Sequence, residues 1–149
     1  MEFLIYLDVC CLNRAFDKQT QERIRLETDA ILYILAKFQN GEWQLLGSEA
    51  FDDELGNTPQ GIRKRQMLNW AALASNKVSI TTEIEARTME IAEMGFKIYD
   101  ALHIACAEVG NADVLLTTDD RMLRLARRRA DLLQVKIRNP LQWLDEVTK

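Results

Sequence analysis

The chain has 149 residues, 48% of them apolar and 28% charged, with a net charge of −4. That length reads as one domain, residues 1–149, with enough chain for a proper core. The acidic balance excludes a protein that holds nucleic acid by general basicity, but not one that reads phosphates through metal ions and a local arginine patch. No apolar stretch approaches the roughly 20 residues of a membrane helix, and the N-terminus lacks the basic start and small-residue site of a signal peptide. No membrane association and a cytoplasmic location are therefore expected. Cys10, Cys11 and Cys106 are odd in number and form no CxxC pair, so they read as reduced core residues rather than a disulfide framework or zinc site.

In chain order, Phe3–Leu7 is a run of strand formers that predicts a strand buried on both faces, as in parallel sheets. Asp8 follows directly, a carboxylate costly to desolvate without a positive partner. Asn13–Asp17 is expected to be a loop. From about Thr20 an amphipathic helix carries Ile24, Ile31, Ile34, Leu35 and Phe38 at helical spacing, and Asn40-Gly41 stops it. Trp43–Gly47 reads as a second strand, leading into the acidic segment Ser48–Leu55. After a break at Asn57-Thr58-Pro59, a helix is expected from about Gln60 to Ala74, with Met67, Leu68, Ala71 and Leu73 largely buried. Lys77–Ile80 reads as the third strand. Thr81-Thr82 with Glu85 looks like a capping box, opening a helix that reaches about Met94 and closes at Gly95. Tyr99–Gly110 is the next helix and Val114–Thr117 the fourth strand. Asp119-Asp120 opens a helix to about Ala130, Gln134–Ile137 is a fifth strand, and Pro140 starts a terminal helix. The alternation predicts a three-layer α/β/α fold with a mostly parallel five-stranded sheet and right-handed crossovers.

In such a fold, ligands bind at the carboxyl edge of the sheet, where strand order reverses. Asp8 follows the first strand and Asp119 the fourth. Glu54, with Glu49, Asp52 and Asp53 around it, follows the second, and Asp100 opens the helix that feeds the fourth. Singly, Asp100 and Asp119 have an ordinary use as helix caps or first-turn acids, and Glu54 as a solvated helix residue. Together, if the first and fourth strands are neighbours, they share one crevice. Carboxylates about 4 Å apart repel by roughly 1–4 kcal/mol per pair. A divalent cation removes that penalty, and oxygen ligands without His or Cys select Mg²⁺ or Mn²⁺. His103, three residues after Asp100, shares its helix face and is expected to stand behind the acids rather than among them.

Three segments carry a resemblance to a known family: IYLDVCCLNRAFD (Ile5–Asp17), DDELGNTP (Asp52–Pro59) and KIYDALHIACAEVGNADVLLTTDD (Lys97–Asp120). They resemble the PIN domain family of metal-dependent nucleases, which includes the VapC-type toxins of bacterial toxin–antitoxin pairs. The resemblance implies an acidic catalytic site of Asp8, Glu54, Asp100 and Asp119, with Asp8, Asp100 and Asp119 holding Mg²⁺ or Mn²⁺. It also implies an endoribonuclease acting on RNA, an antitoxin partner that blocks the crevice, and a homodimer. Asp119 rather than Asp120 matches the family's Thr-x-Asp. One departure stands out: where many members follow the first aspartate with Thr or Ser, this chain has Val9-Cys10.

Further residues are candidates for substrate contacts. Arg14 lies close after the first strand, Thr117 and Thr118 end the fourth, and two basic runs, Arg63-Lys64-Arg65 and Arg124 with Arg127–Arg129, could meet the nucleic-acid backbone. Other readings fit less well. A phosphatase with a nucleophilic aspartate wants a second Asp where Cys10 stands, and a dinucleotide binder wants a glycine-rich turn after the first strand. The non-enzyme alternative is a catalytically inactive PIN-like binding module.

Overall fold

A computed structural model describes residues 2–148. Five strands form one all-parallel sheet: β1 (Leu4–Leu7), β2 (Gln44–Ser48), β3 (Ala74–Val78), β4 (Val114–Leu116) and β5 (Lys136–Arg138), in the order β3-β2-β1-β4-β5. β1 is central and pairs with β4 in the register Ile5↔Val114, Tyr6↔Leu115 and Leu7↔Leu116. The chain builds one half of the sheet outward from β1 and then returns to β1's other side, so the order reverses between β1 and β4. Asp8 and Asp119 therefore leave the sheet side by side.

Side-chain alternation along the central strands splits the core into two layers. Ile5, Leu7, Val114 and Leu116 face α1 (Val9–Asn13), α2 (Glu22–Gln39), α4 (Ile62–Ala71) and α8 (Pro140–Thr148). Tyr6 and Leu115 face α5 (Thr82–Glu93), α6 (Ile98–Val109) and α7 (Asp120–Arg128). Helix α3 (Glu49–Gly56) sits at the sheet edge and contributes Ala50 to one layer, and Phe51 and Leu55 to the other. Phe3, Trp43 and Trp143 close the first layer with edge-to-face contacts at 5.1–5.5 Å.

The predicted architecture holds, with three local corrections. The loop expected over Asn13–Asp17 is mostly helical. Helix α1 begins immediately after Asp8, and a 3₁₀ turn covers Arg14–Phe16, because Val9, Cys11 and Leu12 find a core to enter. The third strand starts at Ala74 rather than Lys77, drawn in by pairing with β2. Its three central residues are exposed, so no apolar alternation marks it. Within α4, Met67 is fully buried while Leu68 is 47% exposed. Among the described residues, no helix is long and apolar enough to cross a membrane.

Candidate active site

Asp8 is the deepest of the four candidate site acids, 7% exposed. Its backbone N–H continues the ladder to the Leu116 carbonyl at 3.0 Å. Although it stands at the N-cap position of α1, its carboxylate makes no cap hydrogen bond. Instead Oδ2 accepts from the Thr117 hydroxyl at 2.9 Å and from the Cys10 thiol at 3.3 Å. The Cys10 Sγ in turn accepts from the N–H and hydroxyl of Thr118 at 3.4 and 3.3 Å. Burial is the main reason that the Asp8 pKa lies above the usual carboxylate value. The Glu54 charge adds to the rise, while His103, Thr117 and Cys10 work against it.

Thr117 links two acids, since its hydroxyl also accepts from the Asp119 N–H at 3.2 Å. Asp119 then plays the ordinary cap role with one oxygen: Oδ1 accepts from the N–H groups of Arg121 and Met122 at 2.9 and 3.2 Å. Asp100, in the first turn of α6, is half-buried and forms no hydrogen bond among the described residues. Its pKa is pushed up to about 6, first by burial and then by the charges of Asp8 and Asp119. Asp100 thus lies near enough to Asp8 and Asp119 for their charges to act on it, although only Asp8, Glu54 and His103 bring ligand atoms together closely among the described residues.

Glu54 approaches from α3 and is anchored by His103, whose Nε2 lies 2.9 Å from Glu54 Oε1. The other ring nitrogen, Nδ1, is 2.5 Å from the Tyr6 hydroxyl, which lies 2.7 Å from Ser48 Oγ. Ser48 also caps α3 through the Phe51 N–H at 2.9 Å. A buried polar chain, Ser48–Tyr6–His103, thus runs from the start of α3 under the sheet edge to the carboxylate on the helix's second turn. Burial alone would lower the His103 pKa. The hydrogen bond to Glu54 and the charges of Asp8, Glu54 and Asp100 outweigh it and hold the value above the usual histidine range.

One ligand atom each from Asp8, Glu54 and His103 lie within 4.8 Å of one another. The sequence places His103 behind the acids, and geometrically it is one of the group. The i, i+3 spacing from Asp100 on α6 is the signal that could have found it. Of the candidates for substrate contact, Thr117 bonds to Asp8 directly and Thr118 to its neighbour Cys10. Arg14 points elsewhere, its guanidinium engaging Glu27 at 2.8 Å and Asp17 at 3.0 Å. Arg63 bonds to Asn13, and Lys64 donates to the Gly56 carbonyl at 3.1 Å.

A carboxylate-rich crevice at the switch point of a parallel sheet, with hydroxyls and one imidazole around it, has the donor chemistry for a divalent cation and a phosphate. Residues 5–128 match the family model of the PIN domain, and the chain belongs to that family, which indicates a nuclease. No curated protein matches the chain by sequence. Among solved structures, the fold is similar to that in the crystal structure of VapBC2 from Rickettsia felis bound to a DNA fragment from their promoter. The TM-score is 0.56 at 11% identity, covering 91% of this chain and 98% of that one.

Proposed function

We propose that this protein is a divalent-metal-dependent endoribonuclease and the toxin of a toxin–antitoxin pair. The observation that carries the reading is the set of acids around Asp8. Among the described residues no arginine or lysine pairs with the buried Asp8, and Asp100 is pushed up to about 6 partly by its acidic neighbours. Such a set is unfavourable alone and becomes favourable with a cation. Asp8, Asp100 and Asp119 would hold Mg²⁺ or Mn²⁺, with Glu54 and His103 at the same centre. When bound, such an ion supplies Lewis acidity toward the scissile phosphate and lowers the pKa of water.

The chain's own residues then have separable roles. Thr117 and Cys10 fix the Asp8 carboxylate. His103, braced by Tyr6, holds Glu54 where it can orient a water or take its proton. Thr118 offers a hydroxyl next to the crevice. Arg14 would reach a substrate only by giving up Glu27 and Asp17. RNA as the substrate is supported by the resemblance to VapC-type toxins. An antitoxin partner and a homodimer are supported by that resemblance, and the antitoxin also by the fold shared with the VapBC2 structure.

The test is RNA cleavage in Mn²⁺ or Mg²⁺ by the intact protein, Asp8→Asn and Asp100→Asn. Cleavage by the intact protein and its loss in both variants are expected, and variants as active as the parent would sink the assignment. Calorimetric titration with Mn²⁺ separates the second reading, an inactive binding module. The Cys10 substitution motivates that reading, and it requires a folded protein that takes up no metal.

A further inference from the structure

Helix α7 carries Arg121, Arg124, Arg127 and Arg128, and Arg129 follows at its C-cap. Met122, Leu123, Leu125 and Ala126 bury the helix's inner face, and all five arginines are exposed. Elsewhere on this net-acidic protein, Arg14, Arg23, Lys37, Lys77 and Arg87 each meet a carboxylate. Among the described residues, none of the ion pairs uses an α7 arginine. The helix dipole favours cations near Arg127–Arg129, in the last turn, but disfavours Arg121 in the first and has little effect on Arg124 between them.

The geometry groups four of the five. The Arg121 guanidinium donates to the Gly95 carbonyl at 3.2 Å, and Arg129 Nε donates to the Met94 carbonyl at 3.2 Å. Arg124 and Arg128 stand between these anchored side chains, with no hydrogen bond of their own among the described residues. Together with Met94, Gly95 and Leu125, the four line a solvent-open hollow of about 380 Å³ that contains no acidic side chain. Arg121, Arg124 and Arg128 follow an i, i+3, i+7 spacing along one face and span about 10 Å of helix axis.

Both walls of this hollow continue along the chain into segments that carry candidate acids. Asp119 caps the helix that carries the arginines. Gly95 lies two residues before Lys97, the N-cap of α6, whose first turn bears Asp100. We propose that this arginine cradle binds the backbone phosphates of a single-stranded RNA whose scissile phosphate lies at Asp8, Asp100 and Asp119, an inference that rests on the nuclease reading above. Guanidinium forks match phosphate oxygens in pairs, and two of the four are already held in place by main-chain carbonyls. Such contacts read no base, so the cradle adds affinity and register to long substrates of any sequence.

Fluorescence anisotropy with labelled single-stranded RNA, in an Asp8→Asn background that leaves the RNA uncut, tests this. Arg124→Gln/Arg128→Gln is expected to weaken binding about tenfold and to flatten the plot of log affinity against log salt by about 1.4, roughly 0.7 for each phosphate no longer neutralised. Arg124→Lys/Arg128→Lys keeps most of the affinity, and Arg25→Gln, which removes an exposed charge on α2, changes it less than about twofold. An unchanged isotherm and slope in the Gln pair overturns the cradle, as does an equal loss in Arg25→Gln. So does a pair variant that keeps its RNA isotherm but loses an acidic protein partner. A parent that cuts RNA in Mn²⁺ while the pair variant cuts long RNA with unchanged KM removes the cradle and leaves the nuclease reading. A parent that neither binds nor cuts RNA removes both.

Discussion

The chain buries carboxylates in two different ways. Glu27, 1% exposed, is satisfied by Arg14 at 2.8 Å, Arg23 at 3.2 Å and the Asn139 side-chain amide at 2.6 Å. Glu108 takes two bonds from Arg87, at 2.7 and 3.1 Å, and one from the Gln134 N–H at 2.8 Å. Asp8 is buried to a similar depth but receives only a hydroxyl and a thiol. In the first two cases the guanidinium offsets the cost of desolvating the charge, and the acid ties elements together. At Asp8 the cost is offset only in part, by His103 and the two hydrogen bonds, and appears as a raised pKa. Asp100 is raised as well, first by its own burial and then by the charges of Asp8 and Asp119. Carboxylates left without cations at a sheet edge have room for one from solution.

Substitutions should separate the two kinds cleanly. Asp8→Asn is expected to reduce RNA cleavage by about 10²–10³-fold, equivalent to several kcal/mol of transition-state charge stabilisation. Thermal unfolding of the metal-free variant should show no loss of stability, since a buried charge has been removed. Glu27→Ala and Glu108→Ala should behave in the opposite way. Each leaves a partly buried arginine, Arg14 or Arg87, without its carboxylate and destabilises the fold by about 2–3 kcal/mol, a fall in Tm of roughly 8 °C. The folded fraction should still bind Mn²⁺ by calorimetry. A Glu27 variant that kept its Tm and lost the metal would erase the distinction.

The comparison also shows which features the residue order can reveal. The alternation of strands and helices is readable because the apolar periodicity that announces each element is local. The convergence of Asp8 and Asp119 follows once β1 and β4 are neighbours. Helix α1 escapes a sequence reading because five residues are too few for a helical period, and Asn13 and Asp17 mimic a turn. The start of β3 depends on register with β2, which nothing in its own polar sequence records. Gly110 ends the predicted helix, a place where glycine's conformational freedom is commonly used. Its φ of −78° needs none. Rather, an added Cβ would lie 2.4 Å from Leu46 and 2.8 Å from Val78, so close approach to the sheet is the reason for a small residue. The role of His103 depends on Tyr6, 97 positions away, and Glu54, 49 away, and only the tertiary fold brings these together. Arg14 reads as a substrate residue because it is close to Asp8 in sequence, whereas the fold turns it toward Glu27.

A smaller effect concerns pH. Asp100 titrates at about 6 in the folded chain, against an ordinary aspartate value of 3.8. Its contribution to stability is therefore fully present below pH 3.8 and is lost as pH rises through about 6. Above that, the metal-free fold carries an unfavourable charge. Asp100→Asn should raise the metal-free Tm at neutral pH by about 3 °C, or about 1 kcal/mol after allowing for solvent screening of a half-exposed group. At about pH 4 parent and variant should melt together. With Mn²⁺ present at neutral pH the order should reverse, because only the parent keeps the full ligand set. A variant less stable than the metal-free parent at neutral pH would show that Asp100 is a structural acid after all.

The smallest expected effect tests the other end of the comparison, a carboxylate that is paired but exposed. Asp52 shares the acidic segment with Glu54 and sits 2.6 Å from the Lys77 ammonium, with the two side chains 44% and 56% exposed. Water solvates both partners and salt screens them, so Asp52→Asn should change stability by less than about 0.5 kcal/mol and leave Mn²⁺ binding and cleavage at parental values. A variant that lost cleavage would move the second acid of the site from Glu54 to its neighbour. The His103 bond to Glu54 would then be only a way of fastening α3 to α6.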